Sequence, residues 1–134
     1  MKRYLAIDYG RSHLGLAYAQ TPLAEPLTQL PNTSLQKVVL ELRKIIHEKQ
    51  IDTIVVGISE GKMAEETKEF ASNLEKELEI PVVFHDETLS SHTATKYLIK
   101  SGAKQKKRQD KQHQTAAAVI LQDYLDQLDI SLIV

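Results

Sequence analysis

Four side chains in this sequence have the types and placement to hold a hard cation. Asp8 closes the apolar run "RYLAID", and Glu87 closes a second, "PVVFHDE". Both runs read as β-strands, so both carboxylates fall at the carboxyl edge of a sheet, where open α/β sheets receive ligands. Asp110 and His113 stand three residues apart at the start of the last helical segment and share one helix face. Carboxylates brought together at a sheet edge repel one another, and a divalent cation relieves the repulsion. Hard oxygen donors suit Mg²⁺ or Mn²⁺. Asp86, beside Glu87, points to the other side by strand alternation. Glu60 follows a third apolar run, "TIVVGIS", and is one more acid at that edge.

Each residue also has a plainer reading. Asp8 could cap the turn at Gly10. Asp86 and Glu87 could cap a following helix. Asp110 could be a solvated acid in a basic loop, and His113 a surface or packing histidine. Their joint placement is what favours the cation.

The elements that must position them alternate along the chain. The first strand stops at Gly10, and "LGLAYAQ" returns as its antiparallel partner through Arg11–His13. Pro22, Pro26 and Pro31 leave room for at most a short edge strand, around Leu27–Leu30. Thr33 or Ser34 caps a helix whose apolar face is Val38, Val39, Leu42, Ile45 and Ile46. "DTIVVGI" reads as a central strand buried on both faces. A helix from about Met63 to Leu78 follows, with Phe70, Ala71, Leu74 and Leu78 as its stripe. After "PVVFHDE", Ser90 or Ser91 caps a third helix reaching Ile99, which Gly102 ends. A last helix runs from about Gln112 to Leu128 and packs through "AAAVILQDYL". The opening hairpin gives antiparallel strands and the later strand–helix–strand units give parallel ones. The class is α/β, a mixed sheet with helices on both faces.

A length of 134 residues fits one domain, residues 1–134, with a core of its own. The chain has no cysteine, which excludes disulfides, thiolate metal sites and thiol nucleophiles. Lys2 and Arg3 precede too short an apolar run for a secretory signal, and no stretch approaches the roughly 20 apolar residues of a spanning helix. A soluble, cytoplasmic protein without a membrane partner is expected. The net charge is −1, but six of 17 basic residues fall between Lys100 and Lys111. They are Lys100, Lys104, Lys106, Lys107, Arg108 and Lys111, opposed only by Asp110. Such a run is often just solvated, yet it creates a local positive field suited to phosphate.

Four segments together resemble the YqgF family, described as RuvC-like Holliday junction resolvases or as nucleases that mature precursor 16S rRNA. They are "AIDYGRSHLGLAYA", with D-x-G in an opening hairpin; "IDTIVVGIS"; "IPVVFHDETLSSHTA", similar to a strand followed by D-E-R-L-S/T; and "AAAVILQDYLD". They span nearly the whole chain in the family's order. The resemblance implies an RNase H-like fold with a five-stranded mixed sheet whose first three strands are antiparallel. It implies phosphodiester hydrolysis assisted by two Mg²⁺ or Mn²⁺ ions about 4 Å apart. Asp8 would be the first metal ligand and catalytic carboxylate, and Glu87 the second. Arg11 and the basic residues Lys104, Lys106, Lys107, Arg108 and Lys111 would meet nucleic acid. Symmetric resolution of a DNA junction needs two active sites, and that substrate calls for a homodimer.

The sequence departs from the family pattern in three places. His113 stands where the last helix usually carries aspartate, and Asp110, one turn earlier, could restore a carboxylate. "VVGISEGKMAEE" lacks the usual L-P and M-D-G, while Glu60 is new there. Thr88 replaces the arginine of D-E-R-L-S. With five tyrosines, two phenylalanines and no tryptophan, recognition by shape and backbone is expected over base stacking. Three functions compete. The first is a metal-dependent nuclease on structured RNA or branched DNA. The second is a binding module of the same fold whose catalysis the lost aspartate has weakened. The third is a phosphate-binding fragment of the actin or sugar-kinase type, which would need a second such domain and a second phosphate loop.

Overall fold

The computed structural model describes residues 2–20, 22–58, 62–86 and 115–128. Five strands form one sheet: β1 (Tyr4–Asp8), β2 (His13–Ala19), β3 (Glu25–Pro31), β4 (Thr53–Ile58) and β5 (Val82–Asp86). Their spatial order is β3-β2-β1-β4-β5. β1, β2 and β3 are antiparallel neighbours, whereas β4 runs parallel to β1 and β5 parallel to β4. The helices are α1 (Leu35–Lys49), α2 (Lys62–Leu78) and α3, over residues 115–128. The expected third helix, between residues 90 and 99, and the basic run lie outside the described residues.

Strand alternation sorts the side chains into two cores. Leu5 and Ile7 of β1, Leu14 and Leu16 of β2, and Ile54 and Val56 of β4 meet α1 and α2. There they pack on Val38, Val39, Leu42, Phe70, Ala71 and Leu74. Ala6, Ala17, Ala19 and Val55 point the other way, onto Ala117, Ile120, Leu121 and Leu125 of α3. The α3 contacts recur at three- and four-residue steps, one stripe of a helix. Helices therefore cover both faces, as the alternation predicts.

Local signals act where expected. The Ser34 side chain accepts a hydrogen bond from the Lys37 N–H at 3.3 Å and caps α1. Gln50 ends that helix in the left-handed region, with φ 54°. β3 is longer than expected, reaching from Glu25 to Pro31. Pro26 and Pro31 are tolerated because β3 is an edge strand, with only β2 beside it among the described residues. A register irregularity between Leu16 and Ala17 of β2 further relaxes the pairing with β3.

Candidate active site

Asp8 is the last residue of β1, and its register decides what surrounds it. It pairs with Gly15 of β2 on one side and with Gly57 of β4 on the other. The row continues outward to Gln29 of β3 and His85 of β5. Directly paired positions face the same way, so Gln29, Gly15, Asp8, Gly57 and His85 share one side of the sheet. It is the side of Ala6 and Val55, and so of α3. Asp8 is 8% exposed.

The two glycines give Asp8 a setting that no other residue would. A β-carbon at position 15 or 57 would stand about 5 Å from the Asp8 β-carbon, on the same face. With glycine at both places, neither neighbouring strand sets a β-carbon beside the carboxylate, which leaves a buried, backbone-floored trough in the side-chain layer of the sheet. Interior strand glycines often mark such a close approach by a ligand. A hard carboxylate beside space that a β-carbon would fill fits a divalent cation.

The hairpin connection next to Asp8 is tied down from β3. The Asn32 side-chain amide donates to the Gly10 carbonyl at 2.8 Å, and the Asn32 N–H donates to the Ser12 carbonyl at 2.9 Å. Tyr9 turns to the opposite face and stacks at a tilt on Phe70, with ring centroids 4.8 Å apart. Burial raises the Tyr9 phenol above its ordinary pKa, and the Glu66 charge adds to the effect. The Asn32 hydrogen bond and the Arg11 charge oppose it. Arg11 is exposed, and its Nε donates to Glu66 Oε2 on α2 at 3.0 Å.

Of the expected cation ligands, Asp8 lies among the described residues. Glu87, Asp110 and His113 lie outside them, as do Glu60, Thr88 and the basic residues Lys100, Lys104, Lys106, Lys107, Arg108 and Lys111. Among the described residues no group of three histidines or acids converges as a metal site. Asp86 is exposed and shares the face of Phe84, opposite His85; its placement relative to Glu87 lies outside the described residues.

Gly15, Gly57, His85 and Asn32 were not singled out from sequence. The two glycines carried a signal, since each interrupts a strand run. Which carboxylate they flank is decided by strand pairing, which is non-local. His85 shows itself only through that row and through its ring contact with Tyr124 of α3, at 6.2 Å between centroids.

Comparisons with known proteins agree with this architecture. A family model described as "RuvX: Holliday junction resolvase" matches residues 2–127. A Natranaerobius thermophilus protein named "Putative pre-16S rRNA nuclease" is 32% identical, over 92% of this chain and 94% of its own length. A Geobacillus protein of the same name is 36% identical, over 92% and 97%. Among solved structures, Thermus thermophilus RuvC in complex with a Holliday junction substrate superposes with a TM-score of 0.61. The sequence identity is 15%, with 93% of this chain and 94% of that one covered. The fold is the RNase H-like fold of RuvC-type resolvases.

Proposed function

The chain belongs to the RuvX family of Holliday junction resolvases, and on that premise we propose that it is a metal-dependent nuclease that trims structured RNA at the 5′ end of precursor 16S rRNA. The observation that carries the reading is Asp8 in its trough between Gly15 and Gly57. The names of the curated relatives support the choice of RNA.

Asp8 would hold the cation at the sheet edge, with Glu87, which follows β5 directly in the sequence, as its partner. Asp110 and His113, from the segment before α3, would complete the ligand set. Mg²⁺ or Mn²⁺, when bound, would supply Lewis-acid stabilisation of the attacking and leaving oxygens. A water oxygen attacks phosphorus, one ester P–O bond breaks, and the water proton ends on the leaving oxygen. Arg11 and the basic residues between 104 and 111 bind the phosphate backbone, which makes affinity fall as salt rises.

The test is cleavage of end-labelled precursor 16S rRNA, with a four-way DNA junction alongside. Cleavage of the RNA is expected with Mg²⁺ or Mn²⁺, and its loss with EDTA or in Asp8→Asn. Cleavage of the junction alone moves the substrate to DNA. Activity that survives both EDTA and Asp8→Asn defeats the mechanism. His113, in place of the family's helix aspartate, favours one other reading, a binding module without turnover. That module would bind RNA in a salt-sensitive way and show no metal-dependent cleavage.

A further inference from the structure

The row that carries Asp8 runs past Gly57 to His85, and the geometry points to a backbone-phosphate subsite between them, with His85 as the residue that hydrogen-bonds the phosphate. The inference rests on the nuclease reading and names a residue that reading does not use. His85 is only 9% exposed. Among the described residues its ring nitrogens have no hydrogen-bond partner, and its ring packs near-perpendicular to Tyr124, at 82°. A buried polar ring without a partner is costly, and such groups in native structures usually await a ligand or water.

The placement suggests which ligand. Gly57 pairs with Asp8 on one side and His85 on the other. No side chain intervenes in that row. Two strand spacings separate the Cα atoms of Asp8 and His85 by about 9–10 Å. Gly57 sets no β-carbon into that span, which is about the width that one bridging phosphate would need. Neutral imidazole always carries one N–H, so His85 can donate to a non-bridging phosphate oxygen. Tyr124 holds the imidazole plane, and Tyr4 packs on Tyr124 in turn, at 5.6 Å between centroids.

Variants that separate the donor from the packing test the assignment. His85→Phe keeps a ring against Tyr124 and loses the N–H; His85→Gln keeps a donor and loses the ring. On labelled precursor 16S rRNA with Mn²⁺, His85→Phe is expected to raise KM tenfold or more, the scale of one hydrogen bond to a charged group. Its Mn²⁺ affinity, read by electron paramagnetic resonance without RNA, should match the wild type. His85→Gln should recover most of the KM. If the Phe variant melts early, His85→Leu replaces it, with the same expectation. A donor-free variant with wild-type KM overturns the subsite. So does one that loses Mn²⁺ affinity, since His85 would then act at the cation. Absence of Mn²⁺-dependent cleavage in the wild type defeats the nuclease reading instead. RNA binding by filter retention then decides the subsite: equal affinity of wild type and His85→Phe overturns it, and loss in the Phe variant keeps it.

Discussion

The two faces of the sheet are built to different rules. On the α1 and α2 face, leucine, isoleucine and valine of the strands meet valine, leucine and phenylalanine of the helices. On the α3 face, the strands offer Ala6, Ala17 and Ala19 beside Val55, and α3 approaches with Ala117 among Ile120, Leu121 and Leu125. Small residues let the helix lie close but bury less apolar surface each. Toward the carboxyl end of β1 the same face loses its side chains altogether at Gly15 and Gly57, around Asp8. One face is spent on cohesion. The other gives up volume where a ligand must reach the backbone.

Asp8→Asn makes the sharpest cut between these roles. Losing the cation's hold costs several kcal/mol of transition-state stabilisation, so cleavage should fall roughly a thousandfold or more. The thermal midpoint should change little beside that loss, because asparagine keeps the shape of the aspartate side chain. A melting curve beside the cleavage assay reads both. A large drop in the midpoint would mean that Asp8 holds the fold together and that the two faces are not divided as described.

Leu74→Ala makes the opposite cut. Leu74 is fully buried among the large side chains of the α2 face. Its truncation should cost about 2–5 kcal/mol of stability, by lost transfer energy and the cavity left behind. Urea denaturation measures that loss. Mn²⁺ affinity at a temperature where the variant is folded should not move. A changed affinity would show that the two cores are coupled through the sheet.

Gly57→Ala sharpens the comparison within one face. Gly57 is buried in a central strand, so an alanine methyl should cost up to about 1–3 kcal/mol of stability by overpacking. The same methyl group would enter the trough beside Asp8. Mn²⁺ affinity and cleavage should fall by about tenfold, the effect of a modest steric misplacement of around 1.4 kcal/mol. A stable Gly57→Ala with full Mn²⁺ affinity would show that the trough is not where the cation sits.

These contrasts explain what could be read from the sequence. The strands, the Ser34 cap and the faces of α1 and α2 were legible, because each is written in a local period or a neighbouring residue. Asp8 was legible too, as a carboxylate ending an apolar run. β3 was underestimated, because prolines read as breakers until the strand is known to lie at an edge. The trough was not legible: Gly15 and Gly57 flank Asp8 only through register, and His85 meets Tyr124 from a distant part of the chain. Glu87, Asp110 and His113 remain expectations carried by motif, since they fall outside the described residues.

Arg11 gives the smallest effect and a useful one. It follows Asp8 by three residues, and its exposed guanidinium pairs with Glu66 on α2. An exposed pair of this kind contributes about 0–1 kcal/mol, so Arg11→Ala should barely change the melting curve. Its role on nucleic acid is separable by salt. If Arg11 neutralises one phosphate, Arg11→Ala should reduce the slope of log affinity against log salt by about 1. Glu66→Gln should act the other way and tighten binding modestly, because Glu66 competes with phosphate for the same guanidinium. Anisotropy titrations of labelled RNA at several salt concentrations give both slopes. If neither variant moves the slope, Arg11 serves only its bridge to α2, and the phosphate contacts near Asp8 belong to the row inside the trough.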